Sequence, residues 1–218
     1  MNYRELRELI EEGENLQCEF KLKFSTEEKI AKELIAFANT KGGYLIFGVD
    51  DDRTIVGVES EKEVSELVYS TAEKFCVPPV NLYVDFIEIK GKEIVVVSIP
   101  ESDNKPHRLQ DYLDELDINK SIVTIRVNDK TVQASKEMVR ILKAQSANLP
   151  LIKYSIGSIE KSVFEYLKYK DLITVKELSK LVNISERRAS RTLVKMVRAN
   201  LLVIHTKDNG EEYFTAAV

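Results

Sequence analysis

The sequence predicts an α+β protein: a mixed sheet with flanking helices, followed by a small helical module that closes on a hairpin. Three observations carry this. Helical and strand-length apolar patterns alternate irregularly through the first two thirds of the chain, with hairpin signals at Lys90-Gly91-Lys92 and Asn128-Asp129-Lys130. Three helical patterns and a further hairpin turn follow one another after residue 158. Residues 145–158 between them are polar and proline-containing, which sets domains at 1–147 and 158–218.

Each element has its own local reason. Tyr3, Leu6, Leu9 and Ile10 recur at helical spacing, and Gly13 ends that helix. Residues 18–24 alternate and read as a strand. Ser25-Thr26-Glu27-Glu28 is an N-cap with acidic first-turn residues; its helix runs through Ile30, Leu34, Phe37 and Ala38 to Gly42-Gly43. Residues 44–49 form a nearly continuous apolar run, a buried strand. Residues 54–58 read as a returning strand, and residues 60–75 as an amphipathic helix stopped by Val77-Pro78-Pro79. Residues 82–89 and 93–99 form the first hairpin. Residues 100–116 are polar and look like the least ordered part of this half. Residues 122–127 and 131–134 form the second hairpin, and Ser135-Lys136-Glu137 opens a short helix. In the C-terminal module, Thr174 and Ser185 cap the second and third helices, and Lys207-Asp208-Asn209-Gly210 joins two strands.

Composition narrows the function classes. No apolar run approaches the roughly 20 residues of a membrane span, and the charged N-terminus does not read as a signal or transit peptide, so a cytoplasmic location is expected. Cys18 and Cys76 read as reduced core thiols, and with only His107 and His205 beside them no zinc spacing exists. The net charge of −4 hides an asymmetry. From residue 158 onward eleven Lys/Arg face eight Asp/Glu, about +3, which leaves about −7 for the rest.

The C-terminal segment TVKELSKLVNISERRASRTLVKMVRANLLV resembles the winged helix-turn-helix of bacterial transcription regulators. Leu178 and Leu181 are expected in the core, and Ala189, Leu193, Met196 and Val197 on the inner face of the third helix. Arg187, Arg188, Arg191 and Lys195 remain on the outer side, where Arg forks match guanine edges and phosphates; Lys207 in the wing would touch a neighbouring phosphate. The alternative is a solvated helix face in a module that binds protein.

The densest motif lies upstream. The stretch AFANTKGGYLIFGVDDD empties a strand into three aspartates, and Glu14 and Glu19-Phe20-Lys21 precede it. These acids either converge on one site or are solvated turn residues. The turn at residues 39–43 either exposes backbone N–H groups to a phosphate or simply ends a helix; it is no P-loop, since GxxxxGK[ST] is absent. His107 reads as a surface loop residue, His205 carries no signal, and Tyr44, Phe47, Tyr83 and Phe86 read as mostly core.

In order, Gly13-Glu14, Glu19-Phe20-Lys21, AFANTKGG with its acidic turn, and Ile55-Val56-Gly57-Val58 resemble the Schlafen AlbA-like domain over residues 3–143. In Schlafen proteins that cut RNA, two glutamates and an aspartate form the nuclease site, and the resemblance places them at Glu14, Glu19 and Asp51. There they would hold Mg²⁺ or Mn²⁺ through oxygen ligands, with Lys21 or Lys23 on the phosphate. The chain carries one such lobe, without the basic N-terminal surface or zinc site of those nucleases. The resemblance therefore implies a nucleic-acid-binding protein, a DNA-binding transcriptional regulator, acting as a homodimer and open to a small-molecule effector. A metal-dependent endoribonuclease on RNA, or an ATP-binding regulator, is the alternative.

Overall fold

The computed structural model describes residues 1–146 and 154–217. The chain divides into two compact units, Met1–Gln133 and Ala134–Val218.

The first unit runs α1 (Tyr3–Glu12), β1 (Cys18–Lys21), α2 (Glu27–Asn39), β2 (Gly43–Phe47), α3 (Glu61–Lys74), β3 (Cys76–Val77), β4 (Tyr83–Ile89), β5 (Lys92–Ile99), β6 (Arg108–Leu109), β7 (Thr124–Val127) and β8 (Lys130–Gln133). Its main sheet has the order β1-β2-β5-β4, with β1 and β2 parallel and the other pairs antiparallel. It is the mixed, helix-flanked sheet the sequence implies. Side-chain alternation sorts the core into two layers. Leu45, Phe47, Val95, Val97 and Ile99 face α2 and α3, while Ile46, Ile94 and Val96, with Cys18 and Phe20 of β1, face α1.

That period of two also fixes the face on which Glu19 sits. With Cys18 and Phe20 on the α1 side, Glu19 turns to the α2 side and is only 9% exposed. A carboxylate so placed requires a partner.

The glycine pair after α2 is a steric requirement. Gly42 and Gly43 have φ of 66° and 154°. A Cβ on Gly43 would stand 2.4 Å from the Gln17 carbonyl oxygen and 2.7 Å from the Phe37 ring. Gly43→Ala is expected to lower stability by about 1–3 kcal/mol, read from the denaturant midpoint of the first unit. An unchanged midpoint would contradict this packing.

Several local expectations change. Residues 54–58 form no strand; Ile55 makes an isolated bridge to Val49, and Val58 N–H bonds the Glu93 carbonyl. The polar stretch after residue 100 is anchored rather than loose: it contains β6, and His107 and Arg108 are buried. Tyr83 and Phe86 are 67% and 48% exposed because β4 is an edge strand. In the hairpin that follows, Lys90 and Gly91 both take positive φ, as a two-residue turn between twisted strands requires.

The second unit runs α4 (Lys136–Ser146), α5 (Ser158–Leu167), α6 (Val175–Leu181), α7 (Glu186–Arg198), β9 (Leu202–Thr206) and β10 (Glu212–Ala216). Thr174 and Ser185 cap α6 and α7 as the sequence suggests. Val163, Leu178, Ala189, Leu193, Met196, Leu202 and Phe214 form one core. Leu181 does not join it and is 45% exposed, while Ile173 bridges Phe214 of β10. The helix α4, which the sequence reading gives to the first domain, belongs to this unit and is bonded to α7. Its amphipathic pattern announces a partner without naming one. Part of the connector read at residues 145–158 lies outside the described residues.

Candidate functional site

Two groups of residues carry chemistry, one in each unit. In the first, the sequence-derived carboxylates are each drawn to separate partners. Glu14 is half-buried and accepts the Phe20 N–H at 2.9 Å. Burial pushes its carboxyl above the usual range, the Phe20 bond pulls it back, and the charges of Glu19 and Asp51 push with burial. Glu19 is bonded to Lys21 and, at 2.9 Å, to Arg126. Asp51 is exposed in the turn, which the other two aspartates close: Asp50 accepts from Asp51 N–H and Asp52 from Thr54 N–H. Among the described residues, no three His, Cys, Asp or Glu side chains stand where they could hold a metal ion. The carboxylates sense one another's charge but do not present the ligand set that Mg²⁺ or Mn²⁺ needs. Of the two lysines expected at a phosphate, Lys21 is spent on Glu19 and Lys23 is exposed.

The organising residue here is Arg126, which sequence reading missed. Its side chain is fully buried. One guanidinium nitrogen, Nη1, donates to Glu19 at 2.9 Å, to Glu33 at 3.3 Å and to the Thr131 hydroxyl at 3.2 Å; Nη2 donates to the Asn15 carbonyl at 2.8 Å. The guanidinium carbon lies 4.8 Å from the centre of the Phe37 ring. Thr131 in turn donates its hydroxyl to Glu33. Burial pushes the Glu33 carboxyl up, and the Glu19 charge adds to it. This network ties β7 and β8 to α2 and β1. No local pattern signals it, because Arg126 and Glu19 are 107 residues apart.

The turn after α2 is closed. Thr40 and Gly42 N–H both bond the Phe37 carbonyl, and Gly43 enters the ladder opposite Ile99. Asn39 is spent as well: its amide donates to the His107 and Thr124 carbonyls and accepts from His107 N–H. His107 is buried, not a surface residue. Its Nδ1 faces the Pro78 carbonyl at 2.8 Å and must carry the proton, so Nε2 accepts from the Ser102 hydroxyl at 2.7 Å. Burial holds the imidazole below its ordinary pKa.

In the second unit, α7 is sorted by face. Ala189, Leu193 and Met196 are buried in the core. Ser190 meets α4, where it bonds Glu137 and accepts from Arg140 at 3.1 Å. Arg187, Arg188, Arg191 and Lys195 are exposed along one arc of the helix, beginning at its Ser185-capped N-terminus. Lys207 is exposed at the hairpin tip, 3.5 Å from Glu211.

The description of the family Schlafen, AlbA_2 matches residues 14–135, which is 122 of the 218 residues. The chain belongs to the Schlafen AlbA_2 family. The matched region is nearly coextensive with the first unit and contains Glu14, Glu19, Asp51 and Arg126. Among curated proteins, an uncharacterised ATP-binding protein, UU034 of Ureaplasma parvum, is 34% identical over 87 residues, covering 37% of this chain. The AlbA_2 chain spans about a quarter (24%) of that relative's length. Among solved structures, the N-terminal domain of a protein from Nitrosomonas europaea, described as related to the ATP-dependent DNA helicase RecG, is 25% identical with a TM-score of 0.38. It covers 52% of this chain and 79% of its own. The DIP2311 protein of Corynebacterium diphtheriae is 12% identical, with a TM-score of 0.43 over 92% of this chain and 34% of its own. Both scores are low, and the fold rests on the family match and the chain's own topology. No helix among the described residues is long and apolar enough to cross a membrane.

Proposed function

We propose that this AlbA_2 protein is a nucleic-acid-binding regulator whose C-terminal unit is a winged helix-turn-helix that docks α7 on duplex DNA. The observation that carries this is the sorting of α7. Its apolar arc is consumed by the core and its Ser190 flank by α4, while Arg187, Arg188, Arg191 and Lys195 stay in solvent. A helix held on two sides with a basic third is shaped for a groove lined with phosphate. Lys207, at the tip of the β9–β10 wing, supplies a flanking phosphate contact. A homodimer would present two such helices to two half-sites, leaving the AlbA_2 unit to pair the subunits or take an effector.

The rival readings have less support. A Schlafen-type endoribonuclease would need Glu14, Glu19 and Asp51 turned to one metal, and Glu19 is instead neutralised by Arg126 and Lys21. ATP binding is in the name of the Ureaplasma relative, but in the turn at residues 39–43 the Thr40 and Gly42 N–H groups are both spent on the Phe37 carbonyl.

Fluorescence anisotropy with a random-sequence duplex tests the proposal. The full chain is expected to bind with a dissociation constant of about 10⁻⁴–10⁻⁶ M near physiological salt, with log K falling linearly in log salt. Absence of duplex binding at low salt would refute it.

A further inference from the structure

The main sheet has two edges, and they are finished differently. At the β1 edge the backbone is capped from within the chain. The Cys18 N–H and C=O are bonded to Asn15, and the Phe20 N–H goes to the Glu14 carboxylate. At the β4 edge nothing plays that part. Among the described residues, no backbone hydrogen bond reaches β4 from outside its own hairpin. The edge also lacks the guards that keep strands apart. β4 runs seven residues in unbroken register with β5 and contains no Lys, Arg, Pro or Gly. Its exposed large side chains, Tyr83 and Phe86, are aromatic.

Which backbone groups lie open follows from the turn. Lys90 and Gly91 join β4 to β5 as a two-residue loop, so Ile89 and Lys92 are the closing hydrogen-bonded pair. Bonded and non-bonded pairs alternate from there. Tyr83, Asp85, Ile87 and Ile89 therefore spend their N–H and C=O groups on β5. Val84, Phe86 and Glu88 turn theirs outward, a set centred on Phe86.

We propose that two copies of this chain pair along β4, antiparallel about a twofold axis at Phe86, and so join their four-stranded sheets into one. In that register Phe86 stands opposite the partner's Phe86, and Val84 opposite the partner's Glu88. Every outward group on the strand then finds a partner. The two phenyl rings form a cross-strand aromatic pair on the α2 and α3 side of the sheet, the side of Val95. On the α1 side, Tyr83 meets the partner's Ile89 and Asp85 the partner's Ile87. A second copy is the occupant this edge fits, because the same seven residues reversed satisfy the outward groups and set no like charges opposite one another. With the β1 edge capped, each main sheet offers one open edge, and the pairing closes at two. As the means of setting two α7 helices on two half-sites, the pairing rests on the DNA-binding reading; the pairing itself does not.

Analytical ultracentrifugation of the full chain without DNA, with residue-resolved hydrogen exchange on the same samples, tests it. The dimer fraction is expected to rise with concentration. Protection of the Val84, Phe86 and Glu88 amides should rise with it, by about tenfold at about ten times the dissociation constant. The Asp85 and Ile87 amides, bonded to β5, should be protected at every concentration. Phe86→Lys removes the aromatic pair and sets two like charges opposite each other, so dimer affinity is expected to fall at least about tenfold. Phe86 is exposed and outside the core, so the unfolding midpoint of the dilute chain should hold. A chain that stays monomeric up to about 1 mM overturns the proposal. So does a dimer whose Phe86 amide exchanges as fast as in the dilute chain, or one that Phe86→Lys leaves intact. If the chain pairs through β4 but binds no duplex, the DNA reading fails and the pairing stands. If it binds duplex yet never dimerises, the pairing alone fails.

Discussion

Replacing Arg126 by Met is expected to destabilise the AlbA_2 unit by about 3–5 kcal/mol, the usual cost of removing one partner from a buried ionic cluster. The substitution keeps much of the side-chain volume over Phe37 but strands two carboxylates. Glu33 is left with the Thr131 hydroxyl and Glu19 with Lys21. The Asn15 carbonyl also loses its donor. Residue-resolved urea unfolding separates this unit from the second. A variant that also carries Glu19→Gln and Glu33→Gln should recover much of the loss, since neutral groups remove the uncompensated charge.

The sign of the pH effect follows from Glu33, whose carboxyl burial already pushes up. A carboxyl raised in the folded state contributes stability that is fully present below its unfolded pKa and is lost as pH rises through its folded value. Without Arg126 the Glu33 carboxyl rises further, so the deficit of Arg126→Met should shrink as pH falls from about 8 to 5. A variant as stable as the parent chain at pH 8 would mean that the cluster is not structural.

The parts of this molecule governed by short-range pattern were legible in the sequence. Strands β2 and β5 are marked by apolar runs whose alternation assigns each side chain to a layer, and Thr26, Thr174 and Ser185 mark their helix starts by the need to satisfy free N–H groups. What stayed hidden depends on partners distant in sequence. His107 reads as a loop histidine because nothing nearby shows that Asn39, Pro78 and Ser102 will enclose it. Arg126 reads as one more strand residue until Glu19 and Glu33 are folded against it. Phe86 and Tyr83 have the alternation of buried residues, yet sheet order puts their strand at an edge. In the candidate site, residue type located the carboxylates and the basic arc of α7. It did not reveal that Glu19 is already neutralised.

The second large effect concerns that basic arc. Arg187, Arg188 and Arg191 are exposed and outside the core of the second unit, so changing all three to Ala should leave it folded. At about 1–3 kcal/mol for each lost side chain, duplex affinity is expected to fall by at least about 100-fold. Loss confined to these residues would distinguish a DNA-reading face from general attraction to a basic domain.

The most direct measurement of the central claim compares the salt dependence of duplex binding for the parent chain and this triple variant. Each phosphate contact contributes about 0.9 to the slope of log K against log salt. If α7 lies on DNA, the parent slope should be steeper than that of the variant by about 2–3, and its affinity higher at every salt concentration. Equal slopes and equal affinities would show that α7 does not touch the duplex, and would contradict the function proposed for this AlbA_2 protein.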